Sequence, residues 1–170
     1  MEMLEAIKFL ENNAPDPTSG LPEELFLFAS RITPMVNVDL LIRDDTGRTL
    51  LSWRDDDFFE PGWHIPGGIV RYKEKFETRI KKVAEIEIGT EIDFDPAPLA
   101  INQVFQNKKK NRGHFISILY RCYLSSTYNL EIKNQDLSPT DSGYLKWHSI
   151  CPPNLIETQE MYRSYLNDHI

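Results

Sequence analysis

The chain has 170 residues, 41% of them hydrophobic and 26% charged, which is typical of one globular domain with enough chain to bury a core. Acidic residues number 26 against 19 lysines and arginines, and the formal net charge of −7 disfavours nucleic acid and anionic lipid as partners. No apolar run approaches the roughly 20 residues that a membrane-spanning helix needs. We therefore expect a single globular domain that binds neither nucleic acid nor membrane.

The first residues mix acids with apolar residues and lack the organisation of a signal peptide. Apolar residues recur at helical spacing within residues 2–13, and a second short helix is predicted over residues 21–30, after Pro15, Pro17 and Gly20. We interpret residues 1–33 as a helical N-terminal extension and residues 34–170 as the main domain. The two cysteines, Cys122 and Cys151, form neither a metal-ligand pattern nor a disulfide framework, which predicts a location in the reducing cytoplasm.

The main domain opens with strand periodicity, because apolar residues from Val36 onward alternate with polar ones. The predicted elements are, in chain order, strands at 36–42 and 48–53, a helix at 73–88, strands at 99–105, 114–124 and 144–148, and a helix at 155–166. In the basic segment 108–113, Arg112 and the three lysines before it either fold over a phosphate or form a solvated hairpin tip, and we favour the hairpin tip. Two longer helices can cover the faces of a sheet, so we predict an α/β fold, an α/β/α sandwich around a mixed β-sheet.

The helix at 73–88 has one apolar stripe that should pack on the sheet, formed by Phe76, Ile80, Val83, Ala84 and Ile88. Glu87 lies seven residues after Ile80 and therefore falls beside this stripe. A carboxylate in that place either binds a partner such as a divalent cation or reaches water at the edge of the stripe, and the pattern favours neither. Gly89 stands where a helix-ending glycine belongs.

The stretch from Gly67 to Gly89 resembles the Nudix box, which reads G, five residues, E, seven residues, R-E-U-x-E-E-x-G-U, with U aliphatic. Aligned from Gly68, the chain keeps Gly68, Glu74, Glu87 and Gly89 at the required spacing and replaces the box arginine with Lys82. Of these, Gly68, Glu74, Lys82 and Gly89 are interpreted as structural residues of the box. Val83 and Ile86 stand where two glutamates belong. The resemblance implies the Nudix fold.

A box depleted in this way is similar to that of one branch of the superfamily, the GDP-mannose mannosyl hydrolases. That branch holds one Mg²⁺ and attacks the anomeric carbon of the sugar, releasing GDP and free sugar. The similarity covers roughly residues 33–166. It implies a Mg²⁺-dependent hydrolase of a small-molecule nucleotide sugar, with Mn²⁺ as an alternative ion, and a homodimer.

The resemblance also implies roles for individual residues. Mg²⁺ would be held by the Gly67 backbone carbonyl, the Glu87 carboxylate and the substrate diphosphate, a donor set that suits Mg²⁺. Arg54 would assist departure of the diphosphate, since guanidinium matches phosphate geometry. Asp39 and Trp63 would contact the substrate. Glu74 and Lys82 would form a structural pair.

Three departures from the branch change these roles: an arginine, the general-base histidine and a metal-binding glutamine are absent, which leaves the water-activating group open. Ile69 replaces an arginine beside the box, so one diphosphate contact is lost. Asp141 stands in the stretch where the branch has its general-base histidine and a metal-binding glutamine, and it is a candidate metal ligand or base. His114 is then the first candidate among the remaining imidazoles, followed by His64.

Two other functions compete with glycosyl hydrolysis. A Nudix pyrophosphohydrolase would attack phosphorus, which Val83 and Ile86 argue against because such enzymes use several box carboxylates. A non-catalytic nucleotide-sugar binding module is the other alternative, which the missing histidine keeps open.

Overall fold

Fifteen short segments of regular structure build the protein, whose computed structural model describes residues 2–57 and 59–167. The helices are α1 (Met3–Asn12), α2 (Glu23–Ala29), α3 (Phe76–Val83), α4 (Leu130–Lys133) and α5 (Arg163–Asn167). The strands are β1 (Met35–Ile42), β2 (Thr49–Asp56), β3 (Phe59–His64), β4 (Gly67–Ile69), β5 (Asp93–Phe94), β6 (Ala100–Phe105), β7 (His114–Tyr123) and β8 (Leu145–His148). A π-helical turn at Ala84–Ile88 and a 3₁₀ turn at Glu157–Tyr162 complete the set. Residues 1 and 168–170, which the two predicted segments include, lie outside the described residues.

The strands form two sheets. The first is mixed and runs β4-β1-β7-β5, with β6 also paired to β7. Its centre is the parallel pair β1 and β7, in register from Met35 opposite Phe115 to Ile42 opposite Cys122. The second sheet is antiparallel, in the order β3-β2-β8. The predicted α/β fold around a mixed sheet is confirmed.

Strand β1 is buried on both of its faces, which explains its nearly continuous apolar sequence. Val38, Leu40 and Ile42 point into a core cluster that α3 covers. On the opposite face, Leu41 belongs to a second cluster that includes Tyr162. Because side chains alternate along a strand, Asp39 shares the face of Leu41. The sheet therefore carries a carboxylate into the apolar interior.

The helix predicted over 73–88 is divided into α3 and the π-turn. At the end of the π-turn, the Gly89 N–H donates to the Ala84 carbonyl at 2.8 Å, five residues back, and Gly89 has a φ of 81°, as a helix-ending glycine allows. The prediction that Phe76 packs on the sheet is wrong, since Phe76 is 41% exposed at the first turn of α3. Arg79 is buried on that helix instead, because Glu74 neutralises its guanidinium.

Four elements of the structure, β3, β4, β5 and α4, were not predicted as strands or helices. Strand β3 includes Pro61 and Gly62, and β4 begins with two glycines, residues that weaken a strand pattern. Helix α4 is one turn long. Among the described residues, no helix has the length and apolar character to cross a bilayer.

His148 at the end of β8 gives the fold a testable pH dependence. Its ring meets Trp63 edge-on at 4.5 Å, and burial, with a smaller contribution from the Lys146 charge, lowers the pKa of His148 to about 4. A pKa below the unfolded value of 6.5 means that folding favours the neutral ring. The associated stability is present above pH 6.5 and is lost as the pH falls toward 4.

We therefore expect His148→Phe to flatten the decline in unfolding free energy between pH 6.5 and 4, relative to the unsubstituted protein. Urea denaturation at several pH values in this window measures the difference. Parallel declines in the two proteins would show that His148 does not couple folding to protonation.

Candidate active site

A cleft of about 740 Å³ lies beside the glycine pair and is lined by residues of β1, β2, β4, the π-turn and nearby loops. It brings together six residues singled out from the sequence: Asp39, Arg54, His64, Gly67, Gly68 and Glu87. Its wall also includes Ile69, at the place where the resemblance expects an arginine. Residues far apart in the chain therefore meet in one cleft.

The glycine pair allows unusually close packing at the centre of this site. A Cβ at Gly67 would lie 2.2 Å from Asp39 Oδ1 and 2.8 Å from the Val38 carbonyl oxygen. A Cβ at Gly68 would lie 2.7 Å from a methyl group of Val83. These distances exclude a side chain at either position, so β4 can pair with β1 and contact α3 only with glycines at positions 67 and 68.

Glu87 leaves the π-turn toward the cleft. Its Oε1 lies 3.4 Å from the Gly67 amide nitrogen, which donates to it. Its Oε2 lies 3.6 Å from His64 Nε2 on β3. The Glu87 side chain is 26% exposed. Its carboxylate therefore accepts a hydrogen bond from Gly67 and remains accessible from the cleft.

Asp39 forms part of the cleft wall while remaining 1% exposed. Its Oδ1 accepts from the Asn37 amide at 2.6 Å, and its Oδ2 accepts from the Tyr162 hydroxyl at 2.7 Å. Burial raises the pKa of Asp39 to about 7, and the negative charge of Glu87 adds to this rise. The burial of Asp39 therefore favours its protonated form, relative to an aspartate in water.

Arg54 supplies a cation at the end of β2. Its Nε donates to Asp56 Oδ2, and its guanidinium lies over the Phe59 ring with Cζ 4.4 Å from the ring centroid. The side chain is 25% exposed. Arg54 is thus held by an acid and an aromatic ring with part of its surface facing the cleft.

Arg112 lines the cleft, although it was predicted to lie on a solvated hairpin tip. That interpretation is wrong for Arg112, which lines the cleft and is half-buried, although Lys108, Lys109 and Lys110 are exposed. Its N–H donates to Ser30 Oγ at 3.0 Å, a contact with the N-terminal extension that carries no local signal. The one local sign is the following Gly113, which permits a tight turn.

Three predicted site residues lie away from the cleft lining. Trp63 is 8% exposed and packs against Trp53 at 5.2 Å between centroids, so it is a core residue. His114 stacks on Phe105 at 4.5 Å, because the alternation of β7 directs its neighbour Phe115 to the site and His114 away from it. Asp141 is exposed, and its Oδ2 accepts from the Ser138 amide at 2.7 Å within its own turn.

His64 is the imidazole that lines the cleft. Its position on β3 beside Glu87 could not be read from the sequence, since β3 was predicted as a loop. Its side chain is 12% exposed. A histidine therefore faces the predicted metal site from a different element than the resemblance implies.

The Glu74 carboxylate fastens the loop before α3 to the helix. Its Oε1 lies 3.2 Å from Lys82 Nζ, and its Oε2 accepts from Arg79 Nε at 2.8 Å and from the Arg71 amide at 3.0 Å. These bonds hold the pKa of Glu74 below its usual value against the opposing effect of burial. Both acidic oxygens are thus occupied by protein donors, which makes Glu74 a structural residue.

The donor set fits a Mg²⁺ that is bound largely through substrate. Among the described residues, no three acidic, histidine or cysteine side chains form a group that could hold a metal. Glu87 and Gly67 nevertheless lie together in the cleft lining, where the Gly67 N–H donates to the Glu87 carboxylate. Mg²⁺ commonly takes one or two carboxylates and completes its shell with phosphate oxygens and water, so the residues present are compatible with it.

Comparison with known proteins agrees with this architecture. Residues 33–162 match the model of the NUDIX domain, and the chain therefore belongs to the Nudix family. Nudix hydrolases act on small molecules and generally use divalent metals such as Mg²⁺.

Individual relatives are distant. The low-salt glycan biosynthesis protein Agl8 of Haloferax volcanii is 27% identical over 128 residues, which cover 73% of this chain and 80% of that protein. A MutT Nudix hydrolase from Burkholderia pseudomallei superposes with a TM-score of 0.58 at 21% identity, over 78% of this chain and 97% of that one. A UDP-X diphosphatase superposes with a TM-score of 0.56 at 20% identity, over 95% and 75% of the chains. These superpositions support the fold.

The buried pair of Glu74 and Arg79 leads to a stability prediction. Their side chains are 6% and 7% exposed, and removing one partner leaves the other charge buried without its counterion. We expect Glu74→Ala to lower the unfolding free energy by about 3 kcal/mol in urea denaturation.

The matched control is Glu77→Ala on the same helix, whose ion pair with Lys81 at 2.8 Å is 59% and 60% exposed. Its loss should stay below about 1 kcal/mol. Equal losses in the two variants would contradict the structural role of Glu74.

Proposed function

We propose that this protein is a Mg²⁺-dependent hydrolase of a nucleoside diphosphate sugar, similar in substrate to GDP-mannose, in which water attacks the anomeric carbon of the sugar. One observation carries the proposal: of the acids described in α3 and the π-turn, Glu87 is the one that lines the cleft. Val83 is in the core and Ile86 brings an apolar side chain to the cleft, at two positions where phosphorus-attacking enzymes have glutamates. The site therefore suits one metal.

In this proposal, different cleft residues bind the metal, the diphosphate and the sugar. Glu87 and the Gly67 backbone would hold Mg²⁺ together with the substrate diphosphate. When bound, the ion would neutralise charge on the diphosphate leaving group. Arg54 binds the same diphosphate and stabilises its charge as the bond to the sugar breaks. Asp39 contacts the sugar, where a carboxyl with a pKa of about 7 can donate or accept a hydrogen bond.

His64 takes the place that the sequence analysis gave to His114. It lines the cleft at 3.6 Å from Glu87, whereas His114 faces the other side of β7. We assign His64 to orient the attacking water through an imidazole nitrogen. Asp141 has no part in this proposal because it lies outside the cleft lining.

Other features of the proposal follow from the resemblance and the composition. The archaeal relative is named as a glycan biosynthesis protein, and a nucleotide-sugar substrate is compatible with that name. Mn²⁺ is the expected alternative ion, and a homodimer and a cytoplasmic location are expected.

The products formed from GDP-mannose with Mg²⁺ test this function directly. We expect GDP and free mannose, separated by ion-exchange chromatography, and we expect Glu87→Gln to lower kcat/KM by about 100-fold because the carboxylate ligand is lost. Glu85→Gln is the control, since Glu85 is exposed on the same turn and lies outside the cleft lining.

GMP with mannose 1-phosphate as products would instead identify attack on phosphorus. Binding of a panel of nucleotide sugars without turnover would favour a non-catalytic module. Unchanged metal-dependent activity in Glu87→Gln would remove the metal assignment.

The two imidazoles make a second, matched comparison. His64→Asn should lower kcat about tenfold or more, because the attacking water loses an orienting partner in the cleft. His114→Asn should stay within about twofold of the unsubstituted enzyme in the same assay. The reverse pattern would show that the sequence-based choice of His114 is right and that the placement of His64 has no catalytic meaning.

A further inference from the structure

Three cations surround a single aromatic ring at the edge of the cleft. The distances to the Phe59 ring centroid are 4.4 Å from Arg54 Cζ, 4.1 Å from Lys109 Nζ and 5.5 Å from Arg112 Cζ. Arg54 comes from β2, whereas Lys109 and Arg112 come from the loop between β6 and β7. Each cation gains an attraction to the ring, yet the three repel one another.

Acidic residues lie on both sides of this group. Asp56 accepts from Arg54 Nε, and a groove on the outer side of the ring places Lys109 near Asp55, Asp57 and Glu157. Lys109 thus belongs to the outer groove. The two arginines instead line the cleft itself, together with Asp56. Burial and the neighbouring charge of Arg54 lower the pKa of the Arg112 guanidinium, and the Asp56 charge opposes this shift, so the two guanidinium groups interact across the cleft wall.

The protein holds Arg112 in this place by contacts from outside the hairpin. Arg112 has a φ of 55°, a left-handed conformation that costs free energy for a residue other than glycine. Its amide donates to Ser30 Oγ at 3.0 Å, and Ser30 is 5% exposed. The adjoining Asn111 Oδ1 accepts from Arg31 Nη1 at 2.9 Å. The N-terminal extension therefore fixes the backbone that carries this arginine.

We propose that Arg54 and Arg112 bind phosphoryl oxygens of the substrate together, with Arg112 as a substrate-binding residue and Ser30 as its positioning residue. Two guanidinium groups on one wall of the cleft present planar donors that match phosphate oxygens. Naming the phosphoryl groups as those of a nucleotide diphosphate rests on the proposed function. Arg112 then supplies, from the β6–β7 loop, a cation that Ile69 does not supply beside the box.

Calorimetric titration of the full chain with inorganic pyrophosphate, in buffer with EDTA, tests this subsite without metal or turnover. We expect Arg112→Gln to raise the Kd about tenfold or more, since charge-assisted hydrogen bonds are lost. Arg112→Lys should have a Kd between those of the unsubstituted protein and Arg112→Gln, because lysine keeps the charge without the planar donors. Lys110→Gln is the control: it removes the same charge from the same loop, at an exposed residue outside the cleft lining, and should change the Kd less than twofold.

The positioning role of Ser30 is tested by comparing variants that remove or keep its hydroxyl. Ser30→Ala should weaken pyrophosphate binding, Ser30→Thr should retain it because the hydroxyl is kept, and Ser30→Ala should add nothing in an Arg112→Gln background. Melting temperatures of all variants show that each is folded at the temperature of the titration.

The outcomes separate this inference from the proposed function. No pyrophosphate binding by the unsubstituted protein at millimolar concentration, or equal effects of Arg112→Gln and Lys110→Gln, would overturn the subsite. Selective loss of binding in Arg112→Gln would support it even if no nucleotide sugar is hydrolysed. Hydrolysis of GDP-mannose with normal KM in Arg112→Gln would leave the proposed function standing and remove Arg112 from substrate binding.

Discussion

The close approach of a side-chain-free backbone in β4 to strand β1 and to helix α3 is the constraint on which the cleft depends. At Gly67 the neighbour is the Asp39 carboxylate, and at Gly68 it is Val83, each within a distance that no Cβ tolerates. Strand β4 can therefore pair with β1 and contact α3 only with glycines at these two positions. The consequence is chemical: the acid of β1 and the acid of the π-turn meet on the same wall, and their mutual repulsion contributes to the raised pKa of Asp39.

Features governed by local periodicity could be predicted from the sequence. The alternation in β1, the strands β6 and β7, and the place of Gly89 depend on neighbouring residues alone. The spacing of the box residues likewise predicted the positions of Glu87 and the glycine pair, because spacing along a helix decides on which face each side chain lies. The burial of Glu74 is harder to predict from the sequence, because its partner Arg79 is a charged residue on the packed face of the helix.

Features that depend on distant contacts escaped the sequence. Trp63 and His114 lie on strands, and which face of a strand turns to the cleft is decided by the partner strands and not by the residue itself. His64 lies on β3, and this strand was not predicted because it contains a proline and a glycine. Arg112 was placed by a serine 82 residues earlier in the chain, a contact for which no spacing rule exists. Functional groups were therefore easiest to find on the helix and hardest on strand ends and loops.

The contact between Ser30 and Arg112 also sets an order of events when the chain is made. Ser30 is synthesised 82 residues before Arg112, so its hydroxyl can meet its partner only after the loop between β6 and β7 has been made. Closing so long a segment costs chain entropy, so we expect this contact to form with or after the pairing of β6 and β7. A nascent chain that already holds Arg54 and the box helix therefore still lacks Arg112 in its cleft.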